Sequence, residues 1–400
     1  MHQTITTCFP ILALSAVLAL AGGAFAAESI TLVSSLPRTG SANAQTTTIV
    51  NGIKMAIEEA GGKAGDFSIV YQDWDDASPE KGQWDPAVEG ANADKAIRDP
   101  DVMAYIGTYN SGAAKIAMPK LNQAGLVMVS PANTAIGLTK PGKGEKNEPD
   151  VYRPSGKVTY FRVVPADDIQ GQAAAKWASE MGVKKVFVLN DREVYGKGIA
   201  ESFRANAEKL GIKVLGVEGI DGKAANYRSL VTKMKQGQPE LVYFGGTTQN
   251  NVGQIAKDMV AGGLDAKLMV PDGCFEDAFI TAAGAQNLEG RCFVTFGGVP
   301  PSQLTGKGKA FVDAYRAKYG AEPEAYAVYG YESAKVVLEA IARAGKKDRA
   351  AITAAIAATK DFDGALGKWS LDANGDTTLT TVSGNTVKGG KFEFVKLLGE

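Results

Sequence analysis

Histidine is all but absent from this chain: His2 is the only one among 400 residues. It lies ahead of an apolar run at residues 9–21, broken only by Ser15. Gly22-Gly23 and the small-residue pattern Ala24-Phe25-Ala26 follow, which read together as an export signal cleaved near Ala26. The segment before the run carries no Lys or Arg, only the amino terminus and His2. Cleavage there removes the histidine, and with it Ser-His-Asp and Cys-His catalysis and histidine-ligated zinc. Cysteine is nearly as scarce. Cys8 precedes the apolar run, so it does not sit where a lipoprotein needs it, which leaves Cys274 and Cys292. These fall at opposite ends of two strands expected to run parallel, about 15 Å apart at ~3.3 Å per residue, so two free, buried thiols are expected. No later stretch approaches the ~18 unbroken apolar residues of a spanning helix. A net charge of −1 supplies no field for nucleic acid or anionic lipid. Phosphate-loop, nucleophile-elbow and Cys-x-x-Cys signatures are missing, and neither cofactor nor metal is expected.

What is present is a regular alternation of strand and helix patterns. Residues 30–34, 67–72, 102–106 and 126–129 read as short apolar strands, with an amphipathic helix at 47–60. After a loop rich in Pro, Gly and Lys at 139–157, strands recur at 161–164, 185–189, 213–217, 241–244, 268–270 and 292–296. Helices at 171–181 and 198–210 intervene. Buried strands joined by helices specify parallel sheets with right-handed crossovers. The last third reads as three helices, at 306–319, 327–344 and 349–359. Short β pieces follow at 364–371 and 377–398, with Gly389-Gly390 as a hairpin turn. The helical block is too poor in strands to be a third α/β domain, so it is expected to return to the first sheet, with the β tail completing the second. The expected organisation is an α/β protein of two lobes, each a mostly parallel sheet flanked by helices, with a cleft between them. The first lobe takes residues 27–158 with about 300–368, and the second takes 159–299 with about 369–400.

Polar groups gather where the strands end, the edge at which open α/β sheets hold ligands. Tyr105-Ile-Gly-Thr-Tyr-Asn-Ser111-Gly and Val127-Met-Val-Ser-Pro-Ala-Asn-Thr134 offer hydroxyls and free backbone N–H groups, and a helix at 112–123 would aim its N-terminal N–H groups at an anion. Tyr195 follows one further strand and Asp272 another; an Asp at a cleft mouth neutralises an ammonium through a charge-assisted bond. Each has a plainer alternative: Ser111 as a helix cap, Thr134 as a turn hydroxyl, Tyr195 as a packing ring, Asp272-Gly273 as a turn. Asp372-Ala-Asn374-Gly375-Asp376 resembles half a calcium loop but has no Glu at its twelfth position, so it reads as a tight turn. The acidic run Asp73-Trp74-Asp75-Asp76 reads as a solvated strand end.

In order and spacing, these pieces resemble the periplasmic leucine/isoleucine/valine-binding family. The stretches that carry the resemblance are Asn51-Gly-Ile-Lys-Met-Ala-Ile-Glu-Glu, Val129-Ser-Pro-Ala-Asn-Thr134, Tyr195-Gly-Lys-Gly198, Tyr243-Phe-Gly-Gly246 and Pro271-Asp-Gly273. The resemblance implies a periplasmic, monomeric two-lobed clamp with three interlobe crossings. It would close over a small free amino acid, branched-chain or similar, and deliver it to the permease subunits of an ABC importer, without catalysis. It further implies that Ser111, Ala132 and Thr134 hold the ligand carboxylate, that Asp272 takes the ammonium where relatives have a glutamate, and that Tyr109, Tyr195 and Tyr326 form aromatic walls. Two positions depart from the pattern: Thr247 stands where a tyrosine is common, and Asn110 replaces a less polar residue. The same clamp binding an aromatic carboxylate or a small amide such as urea is the alternative, as is a sensor domain.

Overall fold

Short apolar strands, buried on both faces, set the architecture seen in the computed structural model, which describes residues 1–4 and 28–398. The segment expected to be an export signal, residues 1–26, falls largely outside the described residues. The first sheet takes β1 (Ser29–Leu36), β2 (Lys63–Ala64), β3 (Phe67–Asp75), β6 (Val102–Gly107), β7 (Val127–Ser130) and β8 (Tyr160–Arg162), in spatial order β2-β3-β1-β6-β7-β8. Only β2 runs antiparallel; the other pairings are parallel. Between β3 and β6 stand a small hairpin, β4 (Ala77–Ser78) with β5 (Gln83–Trp84), and helix α2 (Pro86–Arg98). Helix α1 (Asn43–Glu59) follows β1, and α3 (Ser111–Gln123) links β6 to β7.

The second sheet holds β9 (Lys185–Asn190), β10 (Lys213–Gly219), β11 (Leu241–Gly245), β12 (Lys267–Val270) and β13 (Cys292–Gly297), ordered β10-β9-β11-β12-β13 and all parallel. Its helices are α4 (Asp167–Glu180), α5 (Val194–Lys209), α6 (Arg228–Gly237), α7 (Val252–Ala261) and α8 (Asp277–Ala283). Helices α9 (Gly306–Tyr319), α10 (Ala327–Ala344) and α11 (Arg349–Ala357) come next, then a two-stranded piece, β14 (Phe362–Gly364) with β15 (Gly367–Trp369). Finally β16 (Val382–Lys388) and β17 (Lys391–Leu398) join the second sheet beside β13 as an antiparallel hairpin. Its turn is Gly389-Gly390, both at positive φ, as a twisted two-residue hairpin loop requires.

Helix α10 returns to the first lobe and lies against α1. The crossing is close enough that a Cβ on Gly52 would stand 2.2 Å from the Ala327 carbonyl oxygen, and one on Gly330 2.3 Å from that of Ile49. The chain thus passes between the sheets after β8, after β13 and again after β15. Among the described residues no helix is long and apolar enough to cross a membrane.

The structure revises some of the sequence reading. Helices α1, α4 and α5 begin about one turn earlier than their apolar periodicity suggests, because first turns are polar and carry no repeat. Tyr195 is therefore in the first turn of α5. The strand end at 73–76 is only partly solvated: α2, capped by Asp85 accepting from Ala87 N–H at 2.8 Å, covers it and buries Asp76 fully beside Glu89. Glu89 in turn accepts from Ser35 Oγ (2.5 Å) and Tyr105 OH (2.8 Å). The segment at 372–376 is a tight turn in which Asp372 accepts from the backbone of Asn374 (2.8 Å) and Asp376 (2.9 Å). Cys274 and Cys292 are free and buried. Cys292 pairs with Leu268 at the start of β12, and Cys274 lies beyond its other end.

Candidate ligand-binding cleft

Strand register brings the polar segments together. Ser35 pairs with Gly107, Ile106 with Val129 and Ser130 with Arg162, so the turns after β6 and β7 emerge side by side. Asn133 ties them: its Nδ2 donates to the carbonyls of Thr108 (2.9 Å) and Tyr109 (3.0 Å). Ser130 Oγ accepts from the N–H groups of Ala132 (3.1 Å) and Asn133 (2.9 Å). Ser111 is the first residue of α3, after Asn110, whose side chain makes no capping bond. Its hydroxyl accepts from the Ala135 N–H at 3.3 Å, which couples both segments. The leading N–H groups of α3 have no intrahelical partner by geometry and face the same space. Trp84 of the small hairpin lies over this helix start, where a Cβ on Gly112 would come within 2.6 Å of the indole.

A fully buried arginine anchors the cradle from behind. Arg162 donates through Nε to Asp376 (2.6 Å), through one terminal nitrogen to the carbonyls of Asn133 (3.2 Å) and Ala135 (2.9 Å), and through the other to Thr139 Oγ1 (2.6 Å). Burial alone would raise the Asp376 carboxyl; the Arg162 charge and hydrogen bond, the Thr139 hydroxyl and the Lys140 charge together outweigh it and hold the carboxyl below the usual range.

Across the cleft, Asp272 opens the turn Asp272–Cys274 after β12. Tyr195 OH donates to its Oδ1 at 2.6 Å and accepts from the Gly273 N–H at 3.2 Å. Tyr326, just before α10 in the other lobe, donates to Oδ2. The Asp272 carboxyl is pushed upward by burial, a rise moderated by the two phenols and Gln170. A narrow cavity lies between. Tyr109, Asn110, Ser111, Ala132 and Tyr326 line one side, and Tyr195, Thr247, Asp272 and Gly273 the other. Thr134 does not line it, but its Oγ1 is buried without a hydrogen-bond partner among the described residues. Asp191 shapes the Thr247 loop, accepting from Asn250 Nδ2 (2.8 Å), the Thr247 N–H (3.2 Å) and the Glu193 N–H (3.0 Å).

Several polar groups here escape a reading by residue type. Asp167 opens α4 at the first crossing, bonded through its N–H to the Thr134 carbonyl at 2.9 Å. Its carboxylate is buried beside the Thr134 hydroxyl; burial and then the Asp272 charge push its carboxyl well up. An acidic first turn is so common in helices that the sequence carried no signal beyond Asp167-Asp168 itself. Glu276, at the start of α8, is equally hidden from the sequence, and Glu324 stands nearby.

These buried acids set a pH dependence. Burial lifts Asp191 to about 6, Glu276 to about 7, and Glu324 and Glu89 to about 8. In the unfolded chain such groups ionise near about 4. Between these limits the folded state holds protons that the unfolded state has released, so stability is full at low pH and falls as pH rises through the raised values. The thermal midpoint of ligand-free protein should drop between about pH 5 and pH 8. A midpoint that rises over that interval contradicts the assignment of these carboxyls as buried acids.

Two parallel sheets whose strand ends face one polar cleft make the two-lobed architecture of a binding clamp. The chain belongs to the periplasmic binding protein family, matching it over residues 29–391. It is 32% identical over 295 residues to an amino acid binding protein of Pseudomonas aeruginosa, covering 74% of this chain and 72% of that one. The solved leucine-binding protein LivK of Thermotoga maritima is similar with a TM-score of 0.81 at 27% identity, over 92% of this chain and 99% of that one. The branched-chain amino acid transporter substrate-binding protein LivJ of Streptococcus pneumoniae, in complex with isoleucine, gives 0.79 at 28% identity, over 92% of this chain and 100% of that one. The family is one of solute-binding proteins of transporters, not of enzymes.

Proposed function

We propose that this protein captures a small free α-amino acid between its lobes and presents it to the permease subunits of an ABC importer on the outer side of the membrane. The ligand carboxylate docks on the first lobe, against Ser111, Ala132, Thr134 and the start of α3. Its ammonium meets Asp272, with Asp167 as a second carboxylate behind Thr134. Tyr109, Tyr195 and Tyr326 enclose the remainder. The observation that carries this reading is the pairing of an anion-receptive helix start with a buried carboxylate on the opposite lobe: one zwitterion satisfies both poles and so favours the closed state. A ligand without a cation, such as an aromatic carboxylate, brings no opposite charge to Asp272 and Asp167 and so gains nothing from the second lobe's pole. The amino acid binding reported for the relatives agrees with this reading.

A thermal-shift screen tests it on protein stripped by unfolding and refolding. Free amino acids should raise the midpoint, and urea and benzoate should not. The opposite pattern sinks the proposal. Ser111→Ala should weaken amino-acid affinity by roughly 1–3 kcal/mol in calorimetric titration. A loss confined to thermal stability would make Ser111 a structural residue only.

A further inference from the structure

The small hairpin of β4 and β5 belongs to the first lobe and touches the second. Within it, the Gly82 N–H donates to the Ser78 carbonyl at 2.8 Å and Ser78 Oγ donates to Asp85 Oδ2 at 3.0 Å. The Asp85 N–H donates to the Asp76 carbonyl at 2.8 Å, which ties the hairpin to the end of β3. Its tip lies against the connection from β1 to α1, so closely that a Cβ on Gly40 would stand 2.0 Å from the Gly82 carbonyl oxygen. Held in this way, the half-buried Trp84 rests its ring on Gly112, in the first turn of α3.

The polar edge of the same indole reaches across the gap. Its N–H bonds the carboxylate of Glu193, the residue before α5 in the second lobe. Glu193 does not cap its own helix, which leaves the carboxylate free to face the hairpin. Lys81 at the hairpin tip and Lys197 in the first turn of α5 are the cations acting on it, and Lys81 also pairs with Asp85 at 3.4 Å. The neighbouring Val194 packs on the first-lobe apolar cluster that includes Ala114 and Ala117 of α3. Lys81, Gly82 and Gln83 stand opposite Arg192, Glu193 and Asp221 along one surface groove between the lobes. Both the Trp84 bond and the Val194 contact join one lobe to the other, so both part when the lobes separate.

We propose that Trp84 is a positioning residue for ligand binding: it roofs the α3 start that receives the ligand anion and, through Glu193, latches the lobes shut, so that it sets how slowly ligand leaves. The inference goes beyond the amino-acid reading, on which it rests for the place of the ligand carboxylate. A ring over the helix start keeps water from competing for the leading N–H groups, and an N–H donated to a carboxylate is a charge-assisted bond. Contacts made only in the closed state slow opening and hence dissociation, whereas encounter takes place with the lobes apart.

Stopped-flow kinetics of leucine on the stripped full chain tests this. Trp84→Ala should raise the dissociation rate at least about tenfold and change the association rate by less than about threefold. Trp84→Phe keeps a ring over Gly112 and loses the N–H; it and Glu193→Ala should each raise the dissociation rate about threefold. The double variant should be no faster than the faster single, because both changes remove one bond. Dissociation unchanged in Trp84→Ala, or single effects that multiply in the double variant, overturns the latch. If Trp84→Ala melts early, Trp84→Phe and the double variant decide. If leucine does not bind the native chain, the failure belongs to the ligand assignment, and X-ray scattering of the ligand-free chain decides the latch: Trp84→Phe should show the larger radius of gyration, and radii equal to native overturn it.

Discussion

Replacing Asp272 by alanine is expected to abolish amino-acid binding, with affinity falling by at least about a hundredfold, or some 3 kcal/mol. The loss is large because the ligand ammonium would be drawn out of water into a site where nothing of opposite charge replaces the carboxylate. The fold should survive. In the ligand-free protein Asp272 is a buried acid whose burial raises its pKa, satisfied by Tyr195 and Tyr326, so removing it relieves a desolvation cost and strands only two phenols. Asp272→Asn keeps the shape and one acceptor but not the charge. It should lose nearly as much affinity while melting at or above the native midpoint. Calorimetric titration together with melting of both variants gives the answer. If leucine affinity in Asp272→Asn stays within about threefold of native, the ammonium lies elsewhere, and Asp167 becomes the first residue to try.

Replacing Arg162 by methionine is expected to cost about 3–5 kcal/mol of stability, because Asp376 is then left as a buried charge without its partner. The same change frees the carbonyls of Asn133 and Ala135, so the segment carrying Thr134 loosens and affinity falls as well. Replacing both partners, Arg162→Met with Asp376→Asn, removes the stranded charge and should restore part of the stability but not the affinity. Urea unfolding of the two single variants and the double variant measures the coupling. A single-variant loss below about 1 kcal/mol would mean that the pair does not organise the cradle.

Local patterns were legible in the sequence because they repeat. Short apolar strands announced both sheets, and the glycine pair at 389–390 announced the hairpin between β16 and β17. Ser111, Tyr195 and Asp272 could be named because strand ends in such sheets are where ligands sit, whereas Tyr109, Asn110, Ala132, Thr247 and Tyr326 came only from the family resemblance; all eight line one cleft. Long-range partnerships were not legible. Arg162 and Asp376 lie 214 residues apart, and neither sequence neighbourhood hints at the other. Asp76 looked solvated until α2 packed over it. Asp167 and Glu276 look like ordinary helix-start acids, and only burial sets them apart. Burial depends on the whole chain, so no local window contains it.

The central claim is that closure requires both poles of a zwitterion. Its most direct test is calorimetric titration of stripped protein with leucine, with 4-methylpentanoate, which lacks the amine, and with 3-methylbutylamine, which lacks the carboxylate. Only leucine should bind measurably, with each one-pole analogue at least about a hundredfold weaker. If 4-methylpentanoate binds as tightly as leucine, Asp272 does not recognise an ammonium and the clamp takes a simple anion instead.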